Sequence, residues 1–232
     1  MKLLIDVGNT AVKLAVAVAE ESELRLVAEQ DIDWSQLEVV ICSQVGRSAG
    51  LESIIAQAQA YKLPIAYAEV TPERAGVTCA YKEYNNLGID RWLAVLAAHQ
   101  AFPSQAVIVI DSGTATTVDV VSAQGEHLGG WIVPGLDLMV SSITDRAERV
   151  FCDPNTPFAD EFANNTPQAV KNGALAATLG LVAQAQQLLP QQSVTIVCCG
   201  GYGKLLSEHL DQALFDELLV FKGLHVWWQN PQ

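Results

Sequence analysis

The sequence predicts an α/β protein made of two duplicated domains, and three observations carry that prediction. Residues 3–10 run into 11–16, and residues 108–114 run into 115–121. Each stretch reads as an apolar strand that ends on Asp, a Gly-containing turn, and a second β-rich strand. The same offset, close to half the chain, separates Asp6 from Asp111 and Gly8 from Gly113. Elsewhere, short apolar runs alternate with segments of helical spacing. With 232 residues, half of them hydrophobic, the chain can bury two cores. The repeat divides it into residues 1–104 and 105–232, with a hinge expected at 103–105.

The elements follow in order. Residues 39–43 form an apolar run, 49–60 have helical spacing, and 65–68 are apolar again. Over 91–102, Trp92, Val95, Leu96 and His99 fall at i, i+3, i+4 and i+7, an amphipathic helix that Pro103 ends. Asp90 stands where the N-cap of that helix belongs. Residues 129–133 and 194–198 read as strands; 166–189 and 204–215 read as helices. In 172–189 the small residues Gly173, Ala174, Ala176, Ala177, Gly180 and Ala183 interleave with Leu175, Leu179, Leu181 and Val182. A helix apolar over more than one face is buried either between domains or against a second copy of the chain. Trp227 and Trp228 are expected to pack over the second domain, and His127 to lie in a loop.

Charge and motifs exclude several function classes. A formal net charge of -13 repels polyanions, so nucleic acid and anionic membrane surfaces are not expected partners. A phosphate site must then be local, made of backbone N–H groups, a few Lys or Arg side chains and a divalent cation. The five cysteines are odd in number and lack C-x-x-C spacing, which argues for a reducing cytoplasm rather than disulfides or zinc. Met1 opens directly into a strand without a signal-peptide pattern, and the most apolar long stretch, 173–189, is interrupted by Thr and Gln. Neither a P-loop nor a dinucleotide fingerprint is present. The four His residues show no metal or triad spacing.

Three segments carry candidate chemistry. Asp6-Val7-Gly8-Asn9-Thr10 places a carboxylate at a strand end before a turn whose N–H groups can face phosphate, with Lys13 nearby. Taken alone it is also an ordinary Gly-Asn turn; the second copy, Asp111-Ser112-Gly113-Thr114, favours function. The third segment is Gly88-Ile89-Asp90-Arg91, where Asp90 by itself reads first as a helix cap.

The paired hairpins resemble the nucleotide clamp of the sugar kinase, heat-shock ATPase and actin superfold, two ribonuclease H-like (actin-like ATPase) domains with a nucleotide cleft between them. Over essentially the whole chain the sequence is similar to type III pantothenate kinases. Residues 6–13 match that family's D-x-G-N-T-x-x-K motif, and 88–91 its G-x-D-R, with Tyr81 upstream. Residues 111–117 match D-x-G-T-A-T-T, 129–135 match G-G-x-I-x-P-G, and Asn165-Thr166 ahead of Ala169 and Gly173 matches N-T-x-x-A-x-x-x-G.

The resemblance implies ATP-dependent phosphorylation of pantothenate, the first step of coenzyme A biosynthesis, in a cytoplasmic homodimer. It implies that Asp6, Val7, Gly8, Asn9, Thr10, Ala11, Val12, Lys13 and Thr114 bind ATP. Asp6 would also hold Mg2+, directly or through water, and Asp111 a monovalent cation, K+ or NH4+. Asp90 would accept the proton, while Tyr81, Gly88, Ile89, Asp90, Arg91 and Thr166 line the pantothenate pocket. The alternative is a non-catalytic relative acting as a regulatory or transcription accessory protein, against which intact Asp6, Asp90, Arg91 and Asp111 weigh. Two positions depart from the family pattern. Tyr84 stands where Pro is common, and Cys199-Gly200-Gly201-Tyr202 replaces T-G-G-D, so Tyr202 either stacks on the base or packs.

Overall fold

The computed structural model describes residues 1–8, 11–18, 23–46, 49–189 and 193–231. It is a mixed α/β protein, as expected, and the described residues form two five-stranded sheets and one two-stranded ribbon. Two compact units are present. The first comprises Met1–Ser104, Val121–Gly129 and Leu218–Gln232; the second comprises Gln105–Val120 and Gly130–Glu217. The units are therefore not consecutive halves, because the C-terminal segment returns to the first.

In the first unit, β1 (Lys2–Val7) lies between β2 (Val12–Ala17) and β4 (Val39–Gln44), antiparallel to the former and parallel to the latter. The short edge strands β3 (Leu24–Leu26) and β5 (Ile65–Tyr67) complete the order β3-β2-β1-β4-β5. Side chains alternate between faces along a strand. Leu3, Ile5 and Val7 join Val40 and Cys42 in a core covered by Leu51, Ile54 and Ala58 of α1 (Ala49–Ala60). The opposite face, with Leu4 and Ile41 fully buried, is covered by α2 (Ile89–Ala101) and α6 (Leu219–Gln229). Burial on both faces explains the uninterrupted apolar run of β1. It also leaves the strand's C-terminal end as the place where Asp6 can emerge.

Helix α6 was not foreseen, and Trp227 corrects its expected placement, since it packs within the first unit. The indole N–H of Trp227 donates to Glu69 O at 3.0 Å, and the Arg74 guanidinium lies 4.2 Å over the Trp227 ring. The same Arg74 donates to Trp227 O through Nε and Nη2, at 3.1 and 2.9 Å. Arg74 belongs to the ribbon β6 (Glu73–Arg74) and β7 (Val77–Thr78). These partners lie far away in the sequence, so local pattern gave no hint of them.

The second unit has the same strand order by position. Its sheet runs β10 (His127–Pro134), β9 (Ala115–Val121), β8 (Ala106–Ser112), β11 (Val194–Cys199), β12 (Leu214–Phe215), with β11 parallel to both β8 and β12. Ile108, Ile110, Ile196 and Cys198 pack with Leu175 and Val182 of α4 (Thr166–Gln187). Helix α3 (Leu136–Thr144) adds a smaller cluster of Leu136 and Val140 against Ala174.

Two further expectations are corrected. The helix read over 204–215 is α5 (Gly203–His209) only, because Leu214–Phe215 leaves to pair with β11 as a sheet edge. His127 is not in a loop; it is the first residue of β10 and is 3% exposed.

Helices α2 and α6 approach so closely that a Cβ on Gly223 would sit 1.9 Å from the Leu93 carbonyl oxygen. Gly223→Ala is therefore expected to destabilise the protein by about 1–3 kcal/mol or more, measured by urea unfolding.

Candidate functional site

In the first unit, β1 and β2 present the first hairpin. Asp6 pairs across the sheet with Lys13 on one side and Ser43 on the other, so the three residues form a row across three strands. The turn closes with Gly8 N donating to Ala11 O at 3.1 Å. Asn9 and Thr10 lie outside the described residues. Val7 is fully buried and secures the strand, whereas Ala11 and Lys13 are exposed at the hairpin surface. The charge of Asp6 is felt by its neighbour Cys42, whose thiol is pushed up to about 12, mainly by burial and secondarily by that carboxylate.

The second cluster of this unit is built on the first turn of α2. Asp90 is not the N-cap, which corrects the sequence reading. Gly88 is the N-cap residue and its carbonyl accepts from Trp92 N at 3.0 Å. Asp90 sits inside the first turn, where its Oδ1 accepts from Arg91 N at 2.8 Å. A Cβ on Gly88 would lie 2.5 Å from that same Oδ1, so glycine here gives the carboxylate its space. Ile89 and Trp92 are buried and anchor the turn. Arg91 is 6% exposed, and its Nη1 donates to Tyr81 Oη at 3.1 Å, with the guanidinium 5.9 Å from the Tyr81 ring centroid. Tyr81, Gly88, Ile89, Asp90 and Arg91 thus lie together on and beside the first turn of α2, whereas Thr166 stands in the second unit. Beside them opens a cavity of about 510 Å³ lined by Gln44, Glu69, Asn85, Asn86 and Gly88.

In the second unit, β8 turns into β9 through Gly113 and Thr114. The buried hydroxyls of Ser112 and Thr116, 2.8 Å apart, tie the two sides together. Thr114 is exposed, and its carbonyl accepts from Gly135 N at 3.0 Å. A Cβ on Gly135 would meet Gly113 O at 2.0 Å. The Gly200 turn approaches from the other side with φ +82°, and a Cβ there would lie 2.3 Å from Asp111 Oδ1. Tyr202 N donates to Ser112 O at 2.9 Å. The 129–135 and 199–202 segments therefore both close on the second hairpin, the first at Gly113 and Thr114 and the second at Asp111 and Ser112. Only glycine permits such backbone approach.

Tyr202 packs. Its ring meets Phe158 edge-on at 5.5 Å, and burial, reinforced by its hydrogen bond to Asp137 and the charge of that carboxylate, pushes the phenol up to about 12. Thr166 opens α4 in the first turn after Asn165, whose Oδ1 accepts from Gln168 N at 3.1 Å while its Nδ2 donates to Gln168 Oε1. It lines a cavity of about 880 Å³ with Met139, Ile143, Val150 and Val170.

A Cβ on Gly113 would meet nothing within 4 Å, so the second hairpin turn faces open space. Among the described residues no cluster of three or more His, Cys, Asp or Glu could hold a metal by protein ligands alone. Magnesium bound by one carboxylate, waters and substrate phosphates requires no such cluster. Sequence reasoning missed His127, which stacks on Tyr81 at 6.3 Å and 9°. Its only sequence signal was its position just ahead of the strand.

Comparison with known proteins adds the family. A model of the type III pantothenate kinase family matches residues 2–187. A type III pantothenate kinase of Pseudoalteromonas translucida is 46% identical over 229 residues, covering 99% of this chain and 97% of that protein. One from Pseudomonas putida is 35% identical, covering 97% of each. Among solved structures, a protein from Campylobacter jejuni described as a Baf family transcriptional activator superposes with TM-score 0.59 at 22% identity, covering 98% of this chain and 97% of that one. A Sinorhizobium meliloti protein described as a 2-dehydro-3-deoxygalactonokinase superposes with TM-score 0.55 at 14% identity, covering 99% and 98%. Both structural likenesses concern the fold.

The thiols of Cys42 and Cys198 are raised from 9.0 to about 12 by burial, and Tyr202 from 10.0 to about 12. All three are neutral when protonated, so the stability they contribute is complete below their ordinary values and lost as pH rises toward about 12. Unfolding free energy measured in urea should therefore fall above pH 9.0, and Cys198→Ala should flatten the slope.

Proposed function

The chain belongs to the type III pantothenate kinase family, and we propose that it transfers the γ-phosphoryl group of ATP to the primary hydroxyl of pantothenate, the entry step of coenzyme A synthesis. The observation that carries this reading is the Tyr81–Arg91–Asp90 arrangement on the first turn of α2. It holds a carboxylate against the Arg91 backbone N–H and, on the same turn, a guanidinium oriented by a phenol.

In this reading Arg91 pairs with the carboxylate of pantothenate, and Gly88 and Ile89 shape the wall around it. As the pantothenate hydroxyl oxygen bonds to the γ-phosphorus and the bond to ADP breaks, Asp90 takes the hydroxyl proton. A carboxylate is a weak base toward an alcohol, so the transfer is late and orientation supplies most of the benefit. Asp6, Val7, Gly8, Asn9, Thr10, Ala11, Val12 and Lys13 on one hairpin, and Thr114 on the other, bind ATP through turn N–H groups, hydroxyls and one ammonium. Asp6 would hold magnesium, directly or through water, and the ion would supply charge neutralisation of the phosphates. Asp111 would hold a monovalent cation, K+ or NH4+, to offset the remaining negative charge.

The two sheets share the order third-second-first-fourth-fifth by position, which supports duplicated ribonuclease H-like domains of the actin-like ATPase type, the first of them completed by the C-terminal segment Leu218–Gln232. No helix among the described residues is long and apolar enough to cross a membrane, and the acidic composition suits a cytoplasmic enzyme. The enzyme acts as a homodimer. On α4, Gly173, Ala176, Ala177 and Gly180 are exposed while Leu175, Thr178 and Val182 are buried, leaving a small-residue face open to a second copy. Thr166, at the start of that helix, completes the pantothenate pocket at the subunit boundary.

Purified protein should consume ATP only when pantothenate is added. Asp90→Asn should lower kcat by at least about a hundredfold while circular dichroism and melting stay near wild type; full turnover would remove Asp90 from the mechanism.

Light scattering should give a mass near twice 24.9 kDa. Ala177→Arg should halve it and raise KM for pantothenate, whereas a fully active monomeric wild type would end the dimer reading.

A further inference from the structure

We infer that His127 is a positioning residue for the Tyr81–Arg91 pair, setting the affinity for the carboxylate-bearing substrate through ring stacking without touching that substrate. The inference rests on Arg91 being the carboxylate anchor.

A guanidinium recognises a carboxylate by a planar fork, so its plane must be set before the substrate arrives. In this chain Tyr81 helps to set the plane, since its hydroxyl accepts from Arg91 Nη1 at 3.1 Å. Tyr81 lies in a stretch without regular structure between β7 and the 3₁₀ turn Tyr84–Asn86, so the backbone alone does little to hold its ring. What the ring rests on is His127, nearly parallel at 9° with centroids 6.3 Å apart. His127 is itself held by three ties. It begins β10, its Nδ1 accepts from Ala80 N at 3.5 Å, and its ring lies 6.5 Å from that of the fully buried Trp92, tilted by 58°.

Ala80 immediately precedes Tyr81, so the imidazole grips the backbone beside the ring it stacks on. A second tie lies two residues upstream of Ala80, where Thr78 N donates to Gly125 O at 2.9 Å and Thr78 bridges to Glu126. Trp92 follows Arg91 on α2, so the side chains Trp92, His127, Tyr81 and Arg91 form a closed circuit that leaves the helix and returns to it. At 3% exposure His127 is too enclosed to meet a solvent-borne ligand, and a flat ring at that position is the feature the circuit requires.

The test is steady-state kinetics on His127→Ala, His127→Phe and His127→Leu, with Arg91→Ala as reference. His127→Ala should raise KM for pantothenate about three- to tenfold, the range expected for losing an aromatic stack. It should leave KM for ATP unchanged and kcat within about twofold, a split that general destabilisation would not produce. His127→Phe should restore most of the affinity; His127→Leu, of similar bulk but not flat, should not. If the Ala variant fails to fold, the Phe and Leu pair decides the question. Equal KM in Phe and Leu variants, or a parallel rise for both substrates, overturns the inference. If Arg91→Ala raises KM for pantothenate and the His127 variants do not, only the role of His127 falls. If Arg91→Ala leaves KM unchanged, the anchor reading falls and this inference with it.

Discussion

Burial of the central strands on both faces is the constraint from which the rest follows. Strands β1 and β8 each carry a run of fully buried aliphatic side chains, Leu3 to Ile5 in one and Val107 to Ile110 in the other. A strand covered on both sides has no room for a carboxylate along its length. Polar chemistry is therefore driven to the strand end, where Asp6 and Asp111 each stand two residues before a turn glycine. The same constraint requires helices on each face, and it explains why the first unit takes in the distant α6 to cover Leu4 and Ile41.

Charge raises a second requirement. An acidic chain that handles anionic substrates must place its few cations with care. Arg91 answers this by being nearly buried and oriented by a phenol, so little side-chain freedom remains to be lost on binding. Asp90, its neighbour in the same turn, keeps space for its carboxylate because residue 88 has no Cβ. In the second unit the same device recurs, with backbone at Gly135 and Gly200 closing on the hairpin that carries Asp111.

The departure from the family pattern at 199–202 becomes intelligible in these terms. Gly200 keeps the left-handed backbone that lets the turn approach Asp111. Tyr202, in place of an acidic residue, directs its hydroxyl to Asp137 and its ring edge to Phe158, linking the α5 start to neighbouring elements. It contributes packing there.

The sequence by itself determined the two Asp–turn hairpins, the α2 helix with its Gly88–Arg91 entry, the long helix that begins at Thr166 and the absence of P-loop or dinucleotide motifs. These are written locally, in turn residues, caps and periodicity within a few positions. Only the tertiary structure decided that Leu214–Phe215 leaves its expected helix for a sheet edge and that Trp227 turns back to Glu69 and Arg74. It also decided that His127 lies under Tyr81, and that Gly88 rather than Asp90 caps α2. In the first three cases the deciding partner is distant in sequence, and an apolar or aromatic face does not specify which distant surface will cover it. The cap depended on a single residue's backbone angles, which the packing of Ile89 and Trp92 sets and side-chain preference does not.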